Sequence, residues 1–297
     1  MNYTIHQLQI FLKVVQTKSI TKASVELFMT QPAVSIQLKN LQDQFDIPLT
    51  EIVSRQLYVT DFGKEIAVIA ERVIQELENI NYKTHAYQGI LTGKLQISAA
   101  STGKYVIPYF LSGFLENNTG IDLVLDVTNK SRVVESLKNN EIDFALVSVI
   151  PEKLLIEEEL LIENKLYLVG NRATRDENKP LIYREQGSAT RLAMEKYFEV
   201  HQGKKRKQME LTSNEAVKQA VIAGLGYSIM PLIGIQNELL NSQLFILELE
   251  DLPIKTEWRL IWLKGKKMSP VSQAYLDFIR LEKQKILDQN FRWYLEF

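Results

Sequence analysis

Two short stretches carry residue types suited to holding a negatively charged ligand. Ser101-Thr102-Gly103-Lys104 joins a strand-like run to a helical one, and Gly187-Ser188-Ala189-Thr190-Arg191 opens another helix. At such junctions the first backbone N–H groups of the helix lack an intrahelical acceptor, and the helix dipole adds partial positive charge. Ser101, Thr102, Ser188 and Thr190 add hydroxyl donors, Lys104 adds a point charge, and Arg191 offers two parallel N–H groups to an oxyanion. The first stretch is not a nucleotide phosphate loop. No glycine precedes it at the required spacing, and Tyr105 stands where Ser or Thr would follow the lysine. One such junction is ordinarily just a capped helix, whereas two of them, one from each half of a region, point to a shared anionic ligand. Thr128, after IDLVLDV, and Ser148, at the end of DFALVS, are expected to line the same crevice.

Other chemistry has little to rest on. The chain has no cysteine, which excludes disulfides, thiolate metal sites and cysteine nucleophiles, and its three histidines, His6, His85 and His201, are far apart. There is no nucleophile-elbow motif, no HExxH and no recognisable carboxylate pair, so no catalytic residue, metal or cofactor is expected. The basic run Gly203-Lys204-Lys205-Arg206-Lys207 and the acidic run Glu157-Glu158-Glu159 both read as solvated loops. A net charge of −1 gives no hint of a polyanionic partner. With 45% hydrophobic and 24% charged residues the composition is that of a globular protein. The absence of a leader-like start and of any apolar run able to span a bilayer places the chain in the cytoplasm, with no membrane partner.

The elements that must position these residues follow from hydrophobic period. In HQLQIFLKVVQT, Leu8, Phe11, Leu12 and Val15 share one helical face, Ser19 and Thr21 can cap a short second helix, and Thr30 a third with Pro32 in its first turn. The third helix turns Val34, Leu38, Leu41 and Phe45 inward. Gln31, Ser35 and Lys39 recur every four residues on the other side. Two β-prone pieces, LTEIV and QLYVT, joined by Ser54-Arg55, complete a winged helix-turn-helix. A helix presenting Gln, Ser and Lys is suited to base edges and phosphates in a DNA major groove, although a plain hydrated face has the same spacing. From Asp61 to about Gln88, Ile66, Ala70, Val73, Leu77, Ile80, Thr84 and Tyr87 alternate steps of four and three, a coiled-coil seam expected to pair with a second chain. Beyond Gly89 strands and helices alternate, which predicts mainly parallel sheets in two subdomains with a cleft between them.

The stretch SITKASVELFMTQPAVSIQLKNLQDQFDIPLTEIVSRQLYVTDFG resembles the DNA-binding segment of LysR-type transcriptional regulators, and DFALVS and GLGYSIMP support the likeness downstream. The resemblance covers essentially the whole chain. It implies an α/β fold in three parts: a winged helix-turn-helix over 1–60, a dimerising linker helix over 61–90, and a periplasmic-binding-protein-like effector domain over 91–297. Subdomain I of that domain takes about 91–163 and 266–297, and subdomain II about 164–265. It further implies a regulator without catalytic activity, a homodimer or homotetramer that binds promoter DNA and changes its bending when a small anionic metabolite enters the cleft. The alternative from another class is an enzyme or solute-binding protein on the same two-lobed domain.

By position, Gln31, Pro32 and Ser35 would approach base edges with Lys39, Arg55 would sit on the wing, and Ile66, Val73, Leu77 and Ile80 would hold the dimer. The family often has Arg where this chain has Ile36, and Phe where it has Thr50; the second departure is expected to loosen packing beneath the wing. Residues 1–60 carry five basic and four acidic side chains, a charge of +1. That is low for a DNA binder, and pairing two or four such domains would offset it. Within the family, STGKYVIPY and GSATR look most like the branch that regulates carbon-fixation operons.

Overall fold

Thr4 opens the first helix with a reciprocal cap: its hydroxyl accepts from the Gln7 N–H at 3.2 Å, and the Gln7 side chain accepts from the Thr4 N–H at 2.8 Å. In the computed structural model, residues 3–54, 56–87, 91–174, 176–201 and 206–297 are described; the side chains of 75, 78, 79, 81–87, 295 and 296 are not. The chain divides into two compact units, Met1–Gln88 and Gly89–Phe297.

In the first unit, α1 (Ile5–Thr17), α2 (Ile20–Glu26, capped by Ser19) and α3 (Gln31–Gln42, capped by Thr30) enclose Ile10, Phe11, Val14, Ala23, Val34, Leu38 and Leu41. Strands β1 (Thr50–Val53) and β2 (Gln56–Val59) form the antiparallel wing, with Ser54 left-handed at its turn. The Thr50 N–H and hydroxyl both donate to Gln42 Oε1, at 3.1 and 3.0 Å, so hydrogen bonds tie the wing to the end of α3. Helix α4 (Asp61–Tyr87) follows, its 27 residues spanning about 40 Å. Gly63 is required there, because an added Cβ would lie 2.0 Å from the Leu49 carbonyl oxygen.

The seam of α4 needs correction at its start. Ile66 is half-buried against the core formed by α1 and α3, and Ala67 and Ala70 are buried in it, so this turn packs on its own unit. Val68, Ile69, Val73 and Ile80 are exposed and Leu77 is half-buried, which moves the uncovered apolar stripe one turn along. Thr84, Tyr87 and His85 have side chains outside the described set, and Arg55 and Gly203-Lys204-Lys205 lie outside the described residues.

The second unit is built on one seven-stranded sheet of β3 (Thr92–Ala100), β4 (Gly120–Thr128), β5 (Phe144–Val147), β6 (Ile156–Gly170), β9 (Ser228–Pro231), β10 (Phe245–Ile246) and β11 (Ile254–Leu263). Its order is β10-β6-β11-β5-β3-β4, with β9 also on β6. A separate parallel pair joins β7 (Leu181–Arg184) to β8 (Gln208–Leu211). The sheet is mixed and not mainly parallel: β3 pairs parallel with β4 and β5, while β11 runs antiparallel to β5 and β6. The reason is the crossover. β6 carries the chain out of the first lobe and β11 brings it back, so they run in opposite senses.

The acidic run is likewise a strand and not a loop. Glu157 accepts from Trp262 Nε1 at 2.9 Å, Glu158 pairs with Arg259 at 2.6 Å, and Glu159 with Lys283 at 2.6 Å and Arg280 at 3.2 Å. Burial pushes the Glu159 carboxyl up, but its bonds to Lys283 and Arg280 outweigh this and hold it below the usual range.

Helices α5 (Ile107–Asn117), α6 (Lys130–Lys138), α7 (Ala189–Val200), α8 (Asn214–Ile222), α9 (Gln236–Leu240) and α10 (Pro270–Asn290) cover the strands. The largest apolar cluster runs through both lobes, joining Leu95, Phe110 and Phe144 to Ile182, Val217 and Met230. After α10 the chain turns back. Phe291 packs on Tyr109 and Phe110 at 5.1 and 6.0 Å, the Lys165 N–H donates to Tyr294 Oη at 2.7 Å, and Tyr167 Oη donates to the Phe297 carbonyl at 2.6 Å.

Candidate functional site

Two surfaces combine the residues singled out by type and spacing. On α3, Gln31, Pro32, Ile36, Lys39 and Asn40 are exposed and Ser35 is half-buried, while Val34, Leu38 and Leu41 are inside. The cap at Thr30 and the proline in the first turn start the helix cleanly, so its N-terminal residues project as a rigid set. Beside it, a groove of 690 Å³ lies between the turn before α2 and the wing, lined by Lys18, Ser19, Thr21, Gln56, Tyr58 and Lys64 among others.

The second surface is the cleft within the second unit. Ser101 begins a 3-10 turn, Ser101–Tyr105, at the end of β3, and Thr128 stands beside it at the end of β4, in register with Ala100. Across from them lies Arg184, at the end of β7. It is 3% exposed, its Nη2 donates to Ser101 Oγ at 3.2 Å, and its Nε and Nη2 reach Glu185 at 2.8 and 2.9 Å. Its Nη1 is buried with no hydrogen-bond partner. A guanidinium seated this way has one unspent NH2 group, with two N–H donors, and unspent buried donors are costly. Asn214, the first residue of α8, is also buried, with its Nδ2 unpartnered.

The lobes approach closely elsewhere. Gly187, left-handed at φ +85°, leaves room for Ser131: an added Cβ would lie 2.5 Å from Ser131 Oγ. Burial pulls the Lys130 ammonium below its usual range, Glu152 opposes this, and the charge of Lys196 on α7 lowers it further. Tyr105 Oη donates to Glu215 Oε2 at 3.4 Å, a further link between the lobes.

The expected residues are therefore distributed unevenly. Ser101 meets the second lobe directly. Thr102 and Thr190 are buried, Lys104 is exposed and lies over the Tyr105 ring, and Ser188 caps α7 by accepting from the Arg191 N–H at 3.4 Å. Arg191 is already engaged by Glu195 at 2.7 Å and by Glu210, and donates to the Arg184 carbonyl. Ser148 lines a groove of 440 Å³ with Glu163, Lys255, Thr256, Glu257 and Arg259. Arg184 and Asn214 were missed by motif reasoning; the available signal was an arginine ending the otherwise apolar strand LIYR.

Among the described residues no cluster of His, Asp or Glu is arranged to hold a metal, and no helix is long and apolar enough to cross a membrane. The arrangement offers hydrogen-bond donors and positive charge, the chemistry that suits an anion.

A profile described as bacterial regulatory helix-turn-helix protein, lysR family, matches residues 5–64, and one described as LysR substrate binding domain matches residues 88–283. The chain is 35% identical over 289 residues to the HTH-type transcriptional activator CmpR of Synechocystis sp., covering 94% of this chain and 95% of that protein. It is 34% identical to the RuBisCO operon transcriptional regulator of Allochromatium vinosum, covering 96% and 98%. Among solved structures, the CcmR regulatory domain of Synechocystis PCC6803 in complex with 2-PG superposes with a TM-score of 0.60 at 33% identity, covering 65% of this chain and 98% of that one. These relatives are regulators and not enzymes.

Proposed function

Because this chain belongs to the LysR family of transcriptional regulators, we propose that a small phosphorylated carboxylate, of the kind represented by 2-phosphoglycolate, enters the cleft and modulates its promoter binding. On this reading the chain works in the cytoplasm as a homodimer or homotetramer. Gln31, Pro32, Ser35 and Lys39 engage the DNA major groove, Arg55 on the wing lies near the minor groove, and the exposed stripe of α4 joins two chains.

The observation that carries the ligand reading is the buried Arg184 with its unspent Nη1 beside Ser101. A phosphate or carboxylate oxygen there would satisfy that donor and the Ser101 hydroxyl together. It would also compete with Glu185 for the guanidinium, which gives binding a means of altering how the lobes are tied. Thr102, Lys104, Thr128, Ser148, Ser188, Thr190 and Arg191 border the same domain. In this reading Arg191 acts by holding the Arg184 carbonyl. The 2-PG bound by the CcmR regulatory domain supports the ligand class.

Calorimetric titration of the full-length chain with 2-phosphoglycolate, glycolate and inorganic phosphate tests the proposal, with nuclease protection of promoter DNA as second readout. The expected result is binding of 2-phosphoglycolate that changes the protection pattern and falls at least about tenfold in Arg184→Met, the loss of a charge-assisted bond. Equal binding by parent and Arg184→Met would remove the site.

A further inference from the structure

Ile36 lies at the centre of the exposed face of α3 with 57% of its surface open. Pro32 stands one turn before it and Asn40 one turn after, with Ser35 and Lys39 alongside. Its side chain gains little from the core of this unit, which α3 reaches through Val34, Leu38 and Leu41 on the opposite side. It also has no hydrogen-bond donor or acceptor to offer.

Once α3 enters a major groove, Ile36 is stripped of water by its position alone. The base edges there present donors, acceptors and a single apolar group, the C5-methyl of thymine. A branched aliphatic chain has no other complementary feature to meet. We propose that Ile36 reads a thymine methyl and so specifies an A·T pair at one position of each half-site. Gln31, the side chain suited to adenine, is one turn closer to the helix start and fits a run of such pairs. Where the resembling family often carries arginine at this position, suited to guanine, this chain would prefer a different base.

The proposal rests on α3 being the groove helix, so the test separates the two. The full-length chain selects its preferred duplex from a random pool. Each thymine of the selected half-site is then replaced by deoxyuridine, which lacks only the C5-methyl, and affinities are measured for the parent, Ile36→Ala and Gln31→Ala. At one position uracil should weaken the parent about fourfold, the worth of one methyl-sized group removed from water. Ile36→Ala should bind the thymine and uracil duplexes alike at that position, and Ile36→Arg should select guanine there. Uracil duplexes that all bind the parent as well as thymine duplexes would overturn the proposal, as would equal losses in the parent and Ile36→Ala. If Gln31→Ala selects the same sequence as the parent, with unchanged affinity, the groove reading falls and this proposal with it.

Discussion

At the scale of single residues, His201 shows how local partners set a charge. Its Nδ1 lies 3.0 Å from the Tyr197 carbonyl, its Nε2 2.9 Å from Asp251 Oδ2, and its ring stacks on Tyr197 at 4.3 Å. The carbonyl of Tyr197 raises the imidazole most, burial opposes it, and Asp251 and Glu250 add to the rise. A raised folded value means that the stabilisation is complete below the unfolded value of about 6.5 and is lost as pH climbs through the folded one. The melting temperature of the parent should therefore exceed that of His201→Gln at about pH 6, with the gap closing towards about pH 8. Thermal denaturation across that range checks it; a constant gap would contradict it. The same scale explains a misplaced cation. Arg191 was legible because it closes a motif, GSATR, yet Glu195 and Glu210 occupy it. Arg184 was legible only as an arginine ending an apolar strand, because a strand's sequence does not disclose which lobe its last residue will face.

At the scale of elements, α4 separates what periodicity reveals from what it conceals. The steps of four and three from Ile66 onward made the apolar stripe readable, but not that the packing of α1 and α3 against α4 would cover its first turn. The interface between chains is thereby expected at Val73, Leu77 and Ile80. Leu77→Lys should shift sedimentation of the full-length protein towards monomer, because a charge would be buried without a partner, whereas a parent that is already monomeric at micromolar concentration would refute the assignment. Helix α3 was readable throughout, since its inward and outward sets are fixed by local spacing. The acidic run was not. Its partners Arg259 and Trp262 stand 101 and 105 residues away, and only the crossing of β6 and β11 brings them together.

For the second unit taken whole, the continuous apolar cluster and the returning C-terminal segment act together. Tyr294 is 1% exposed and its hydroxyl meets the Lys165 N–H, on the strand that passes between the lobes. Lys165 Nζ in turn reaches the Tyr294 carbonyl at 3.3 Å and lies over its ring. Tyr294→Ala should destabilise this unit by about 4 kcal/mol, the usual cost of emptying an aromatic site. Urea unfolding followed by tryptophan fluorescence and by circular dichroism should give coincident transitions for the isolated 89–297 unit, because the lobes share one core. Two separated transitions would show that the lobes unfold independently.

The close approach of Gly187 to Ser131 has a consequence in heredity. One base change turns any glycine codon into one for alanine or valine, and either side chain would add a carbon where 2.5 Å separates it from Ser131 Oγ, on a backbone at φ +85°. Such an allele should appear in a reporter screen as a signal-blind regulator, its output the same with or without the metabolite. Ser131→Ala should arise as a partial second-site suppressor, since it clears the space and leaves the backbone strain. If Gly187→Ala strains respond like the parent, the lobes do not need this contact to pass the signal.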